Sequence, residues 1–240
     1  MSSDAFQPAD NIRRRRLRFS LRALLLFVTI IAVVAALLTY RFEEARRQHR
    51  AVRRLHQYFG AAAYYDYQLD ENDQSLGREA TPPGPEWLRS LVGIDFLSRV
   101  TKVSFWETNG PGANEYVIFR DLPFLKTLEF FEALFRGEGV VHLSELHRLR
   151  RLILNRSMYG KENVKALGQL TQLEELSLIE GRFHEDDLLS LRSLKNLRLL
   201  DLRSVNTGRN PTYPRISQRT IKQLQAALPD CEIIYDRFAK

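Results

Sequence analysis

The chain has 240 residues and carries 36 Lys and Arg against 29 Asp and Glu, a formal charge of +7, with a pI near 9.7. With 44% hydrophobic and 27% charged residues, its composition argues against wholesale disorder, a collagen-like repeat or a multi-span membrane protein. The length allows one large or two small domains, and the lone Cys231 cannot close an intramolecular disulfide.

The basic excess is local. Residues 1–60 hold 12 Lys and Arg against 4 Asp and Glu, whereas the remainder holds 24 against 25. Residues 1–20 form a basic tail with Arg13, Arg14, Arg15, Arg16 and Arg18; Arg22 stands just beyond, and Arg41 opens a second basic stretch. Between these runs Ala23 to Tyr40 carries no charge and is rich in Leu, Ile, Val and Ala. As a helix it would extend about 27 Å at about 1.5 Å per residue, close to the apolar thickness of a bilayer of about 30 Å. Residues 21–40 are therefore predicted to form one transmembrane helix, with the arginines reaching the headgroups. A cleaved signal peptide, with Val34-Ala35-Ala36 as the processing site, is the competing reading. Six arginines in the ten residues before Ala23 against four in the ten after Tyr40 place the amino terminus inside and the rest of the chain outside. The tail offers neither a folded platform nor interleaved aromatics, so a lipid bilayer and not nucleic acid is its expected partner.

Residues 41–67 read as a membrane-proximal helix and a cap strand. The helix stripe is Phe42, Ala45, His49, Val52, Leu55 and Phe59, ended by Gly60. It suits either a cap over the first unit of a repeat array or a coiled coil. Residues 68–86 are polar and close on Thr81-Pro82-Pro83-Gly84-Pro85, the composition of a spacer.

The remaining domain, 87–240, is periodic. Leu128, Leu152, Leu176 and Leu200 recur at a constant step of 24, each followed two places on by Phe130, Leu154, Leu178 or Leu202. Leu125, Leu149, Leu173 and Leu197 precede them in phase, as do Leu143, Leu167 and Leu191 further up. Each unit passes from a helical apolar stripe into strand-like alternation. No unit of this length can bury its own apolar edge, so neighbours must stack.

Leu149, Leu152 and Leu154, then Leu173, Leu176 and Leu178, then Leu197, Leu200 and Leu202 resemble the Leu-x-x-Leu-x-Leu signature of the leucine-rich repeat family. That resemblance implies an α/β solenoid of about five to six units. An earlier unit holds Val100, Val103 and Phe105, and a degraded last one holds Leu228, Cys231 and Ile233 after an insertion over Asn206 to Pro214. Ser157, Gly181 and Val205 stand where the family has Asn or Cys, which puts a continuous Asn ladder in doubt. Cys231 takes the place of a core leucine. Several segments also resemble short bacterial membrane-anchored leucine-rich repeat proteins of undefined role: Arg18-Phe19-Ser20-Leu21-Arg22, Tyr65-Asp66-Tyr67-Gln68, Pro83-Gly84-Pro85-x-Trp87-Leu88 and Leu228-Pro229-x-Cys231-x-Ile233.

No catalytic motif, phosphate loop or paired metal ligands stand in the sequence. The expectation is a non-enzymatic, cofactor-free and metal-free protein that binds another protein or an envelope component. The alternatives are an envelope enzyme with an unrecognised site and a purely structural protein. In the leucine-rich repeat fold, strand residues between the leucines line the concave side. One such column reads Trp106, Phe131, Asn155, Ile179, Arg203 and its neighbour Ser104, Glu129, Ile153, Ser177, Asp201. Trp106, Phe131, Ile153, Ile179, Glu129 and Arg203 are the candidate binding residues, with Glu107, Glu132, Arg156 and Glu180 along a rim. Aromatic anchors within a charged border suit a protein interface. Packing of Trp106 and Phe131 beneath the Gly110 insertion or the 68–86 segment is the competing reading.

Overall fold

The computed structural model describes residues 21–107, 110–132, 139–157, 161–181, 183–204 and 216–236. Arg13 to Arg18, Val205 and the Asn206–Pro214 insertion lie outside the described residues. The chain divides into two compact units, residues 1–41 and 42–240.

Helix α1 (Leu21–Leu55) contributes to both units. Residues 21–40 contain neither Gly nor Pro, so nothing breaks the helix there. Within them the hydroxyls of Thr29 and Thr39 donate back to the carbonyls of Leu25 and Ala35, each at 2.8 Å. Even their polar side chains are thus satisfied inside the helix. By length and composition this helix is apolar enough to cross a membrane, and none of its most apolar window is buried within the chain.

In the second unit α1 ends at Leu55, earlier than the stripe suggests. His56, Gln57 and Tyr58 close turns onto Val52, Arg54 and Leu55, and Gly60 (φ +74°) leads into β1. Phe59, expected in the buried stripe, falls beyond the last helical turn and is 86% exposed. The buried face is instead Ala45, Gln48, Ala51, Val52 and Leu55. Ala51, Val52 and Leu55 of that face belong to the same core as Val100, Val103 and Phe105.

Seven strands follow: β1 (Ala61–Tyr65), β2 (Val100–Trp106), β3 (Thr127–Phe131), β4 (Arg151–Asn155), β5 (Glu175–Ser177), β6 (Leu199–Asp201) and β7 (Glu232–Ile234). They form a single sheet in chain order. β1 runs antiparallel to β2 and covers its edge, while β2 to β7 are mutually parallel. The sequence period is the register of this sheet: Val103, Leu128, Leu152, Leu176, Leu200 and Ile233 stand side by side. The four leucines are fully buried, each contributing about 1.5–3 kcal/mol relative to exposure.

Helices α2 (Glu86–Val92) and α3 (Ile94–Leu97) lie between β1 and β2 in the chain. The Asp95 carboxylate on α3 accepts from Gln48 Nε2 (3.0 Å) and from the Tyr65 hydroxyl (2.9 Å) and lies 2.9 Å from His49 Nδ1. Gln48 completes the tie by accepting from the Val100 N–H at 2.9 Å. One buried carboxylate therefore joins α1, β1 and β2.

Between the later strands lie short helices α4 (Val140–Ser144), α5 (Lys161–Leu167), α6 (Glu185–Leu188) and α7 (Gln218–Ala227), with 3₁₀ segments at Ala113–Asp121 and Leu189–Ser193. Their apolar positions repeat with the strands, and Leu143, Leu167 and Leu191 are all fully buried in the same core. Where the family resemblance calls for Asn, the Ser157 hydroxyl donates to the carbonyls of Phe130 (3.1 Å) and Asn155 (3.3 Å). Gly181 donates only its backbone N–H, to Leu178 at 3.0 Å. Cys231 is 3% exposed. Burial, assisted by the neighbouring Glu232 carboxylate, pushes its thiol up to about 11.

Candidate functional site

Side chains alternate along a strand, so the residues between the buried leucines share the other face of the sheet. Three rows result, starting from Lys102, Ser104 and Trp106 on β2.

The row nearest the strand starts is covered over its first three members, Lys102, Thr127 and Arg151. Residues 69–75 double back through an isolated bridge between Leu69 and Ser75. Asp73 at their tip accepts from Thr127 Oγ1 (2.7 Å) and pairs with Arg151 at 3.0 Å. Lys102 Nζ donates to the Asp73 carbonyl at 3.0 Å. The polar stretch expected to act as a spacer is therefore latched, in part, onto the sheet.

The middle row is closed. Glu129, expected among the binding residues, is 7% exposed. It accepts from Ser104 Oγ at 2.6 Å and pairs with Lys102 at 2.8 Å, so its charge is matched inside the sheet. Ile153 beside it is half-buried.

The third row is open. Trp106 is 50% exposed, its ring stacked on Phe131 with centroids 4.1 Å apart and planes 17° apart. Phe131 and Ile179 are half-buried, and Asn155 between them accepts from Ser177 Oγ (2.7 Å) and the Ile179 N–H (3.2 Å) through its Oδ1. Together with Glu107, Glu132, Arg156 and Glu180 these residues line a cleft of about 250 Å³. Arg203, the next member of the row, does not join it: its guanidinium is held by Asp201 at 2.6–3.1 Å.

The rim has a backbone cause that the sequence did not announce. Glu107, Glu132, Arg156, Glu180 and Ser204 all have positive φ, between 46° and 57°. For residues other than glycine this conformation costs on the order of 1 kcal/mol each. The cost is offset by continued pairing: the N–H groups of Glu107, Glu132, Arg156 and Glu180 reach the carbonyls of Phe131, Asn155, Ile179 and Arg203 at 2.9–3.1 Å. Arg156 lies between Glu132 (2.7 Å) and Glu180 (3.0 Å), and the bond to Glu132 leads those that hold its proton more tightly than usual.

A larger depression of about 670 Å³ lies among the turns that precede the strands, lined by Arg150, Glu174, Lys195, Arg198 and Asp230. Arg150 and Glu174 pair across it at 3.1 Å, and Lys195 is spent on the Ala227 carbonyl. Among the described residues no group of three or more His, Cys, Asp and Glu is placed to hold a metal.

By strand order, register and period the chain resembles leucine-rich repeat proteins. No protein-family model and no curated protein matches the sequence. Similar solved structures include a leucine-rich repeat protein of Leptospira interrogans, 25% identical with a TM-score of 0.34, the match covering 49% of this chain and 27% of that one. They also include an internalin of Listeria monocytogenes, 15% identical with a TM-score of 0.29, covering 67% of this chain and 51% of that one. The chain thus spans about a quarter of the first protein's length and about half of the second's.

Proposed function

We propose that this chain is a membrane-anchored, non-enzymatic leucine-rich repeat protein that binds another protein or an envelope component through the open row of its strand face. In this reading residues 21–40 cross a bacterial cytoplasmic membrane once, with the amino terminus inside. Residues 87–240 form a solenoid of five to six units outside, capped by α1 and β1. The single observation that carries the binding assignment is the Trp106–Phe131 stack, half open to solvent above a cleft with an apolar floor and a charged rim. Rigid aromatic side chains in such settings supply most of the energy of protein interfaces. Relative to the sequence-based set, Trp106, Phe131 and Ile179 remain as the floor, Glu107, Glu132, Arg156 and Glu180 form the rim, and Glu129, Ile153 and Arg203, which do not line the cleft, are withdrawn.

A photocrosslinking residue at position 179 of the full chain, in intact cells, tests the assignment. A discrete adduct is expected, lost in the Trp106→Ala/Phe131→Ala double variant while the protein remains folded. An adduct that persists in the folded double variant overturns it. Protease treatment of intact and lysed cells tests the orientation: digestion of the repeat domain only after lysis would place it inside.

A further inference from the structure

A second exposed apolar surface lies away from the strand face. On α2, Trp87 and Leu91 are 67% and 74% exposed, and their i, i+4 spacing puts them next to one another on one side of the helix. The opposite side is anchored: Leu88 sits with Leu97 beside Gly84, and Arg89 donates to the carbonyls of Pro82 and Gly84. The two apolar side chains are thus presented on a helix fixed to the unit behind it.

The position of α2 within its unit says what meets them. Only Gly93 separates α2 from α3. Phe96 of α3 packs on Phe42 with ring centroids 4.6 Å apart, Asp95 holds Gln48 and His49, and Arg99 pairs with Glu44 at 2.5 Å. This corner is therefore fixed against the first residues of the unit, and Phe42 follows Tyr40, the last residue of the uncharged run, by two positions.

We propose that Trp87 and Leu91 insert into the bilayer interface, so that α2 docks the folded unit onto the lipid surface. The proposal rests on the reading of residues 21–40 as a membrane span. The chemistry fits that occupant: Trp favours the headgroup region, with its ring in apolar surroundings and its N–H wet. Arg41 directly follows the uncharged run, where anionic headgroups attract a cation. A tether at Phe42 makes docking an intramolecular event, so a small apolar pair suffices without a large contact. Trp106 pairs with Gly60 at 2.9 Å, five residues after the last residue of α1. None of the residues that line the cleft belongs to α2.

The test uses the full chain in vesicles of phosphatidylcholine and phosphatidylglycerol at three to one. The chain holds two tryptophans, so Trp106→Phe leaves Trp87 as the sole fluorophore and Trp87→Phe leaves Trp106. Flotation with the vesicles after carbonate washing reports the anchor, and quenching by lipids brominated near the headgroup reports α2. The expected result is flotation of both variants, at least twofold quenching of Trp87 and no quenching of Trp106. Leu91→Ser in the Trp87 reporter should weaken the quenching while flotation persists. Flotation with Trp87 unquenched by brominated lipid and open to aqueous iodide overturns the docking and leaves the anchor standing. Trp87 emission that follows protein density and ignores bromine assigns the patch to a second copy and also overturns it. Failure to float removes the anchor, and the docking falls with it.

Discussion

The indole of Trp106 lies almost flat on the ring of Phe131, 4.1 Å between centroids, although the two residues belong to different strands of the sheet. Both backbones are fixed by the parallel ladder, and Trp106 also bonds Gly60 at 2.9 Å. The stack is therefore built into the sheet itself. Because Trp106 is half exposed, Trp106→Ala should cost less than loss of a core aromatic, about 1–2 kcal/mol, a fall in Tm of a few degrees. A scanning calorimetry trace showing a much larger drop would mean that the ring belongs to the core.

Gly60 is needed for that geometry. It has φ of +74°, and a Cβ there would stand 2.1 Å from the Trp106 carbonyl oxygen. Gly60→Ala should therefore separate β1 from β2 at this end and destabilise the protein by about 2 kcal/mol or more, from left-handed strain and steric overlap together. Chemical denaturation would show it as a lower midpoint, and an unchanged midpoint would refute the close approach.

The Asp73 latch predicts a local effect. Asp73→Ala removes one charge-assisted bond and an ion pair, which together with partial solvent screening correspond to about 1–2 kcal/mol. Trypsin cleavage after Arg78 should accelerate about tenfold while the global unfolding midpoint moves little. Thr127→Val should shift cleavage in the same direction by less. Equal protection in the Asp73 variant would show that residues 69–75 are held by something else.

Asp95 predicts a global effect. Removing its carboxylate leaves Gln48 Nε2 with one acceptor, the Ser98 carbonyl at 3.0 Å, and takes the acceptor from the Tyr65 hydroxyl. Burial, reinforced by the Asp95 charge, raises the Tyr65 phenol well above its ordinary range, so that hydroxyl stays a donor at any working pH. Asp95→Ala should cost about 2–4 kcal/mol, and Asp95→Asn less. Urea unfolding of the two variants checks the order.

At the carboxyl-terminal end, Glu185 accepts from the Ser217 N–H (2.8 Å) and the Thr220 hydroxyl (3.3 Å) at the start of α7. Burial alone would raise its carboxyl, but the bonds from Ser217 and Thr220 and the Arg219 charge outweigh it and hold it below the usual range. A depressed folded-state pKa contributes stability that is present above the unfolded value of about 4.3 and is lost as pH falls through the folded one. Glu185→Gln should flatten that acid limb and leave a constant deficit near neutrality. A parallel, undiminished acid limb in the variant would exclude this group as a source.

Cys231 should be inert while the protein is folded. With its thiol near 11, about one molecule in a thousand is thiolate at pH 8, against roughly a quarter for an unperturbed cysteine with a pKa of about 8.5. Iodoacetamide labelling should therefore be about two-hundredfold slower before denaturation than after it. Comparable rates would place Cys231 outside the core.

The sequence by itself determined the repeat. The constant step from Leu128 to Leu152, Leu176 and Leu200 is the sheet register, because a unit with one apolar edge can bury it only against a like neighbour. The uncharged run before Arg41 is equally plain, since length and hydropathy are local properties. Tertiary structure decided what depends on partners distant in sequence. Glu129 and Trp106 occupy similar strand positions in the pattern, yet one is closed by Lys102 and Ser104 and the other is open. Asp73 looks like any loop aspartate until Thr127 and Arg151 stand beside it. The left-handed residues of the rim carry no glycine to announce them, because the ladder bonds to the next strand, and not residue preference, hold their backbone. Burial and charge pairing are sums over neighbours, and the chain acquires those neighbours only when the units stack.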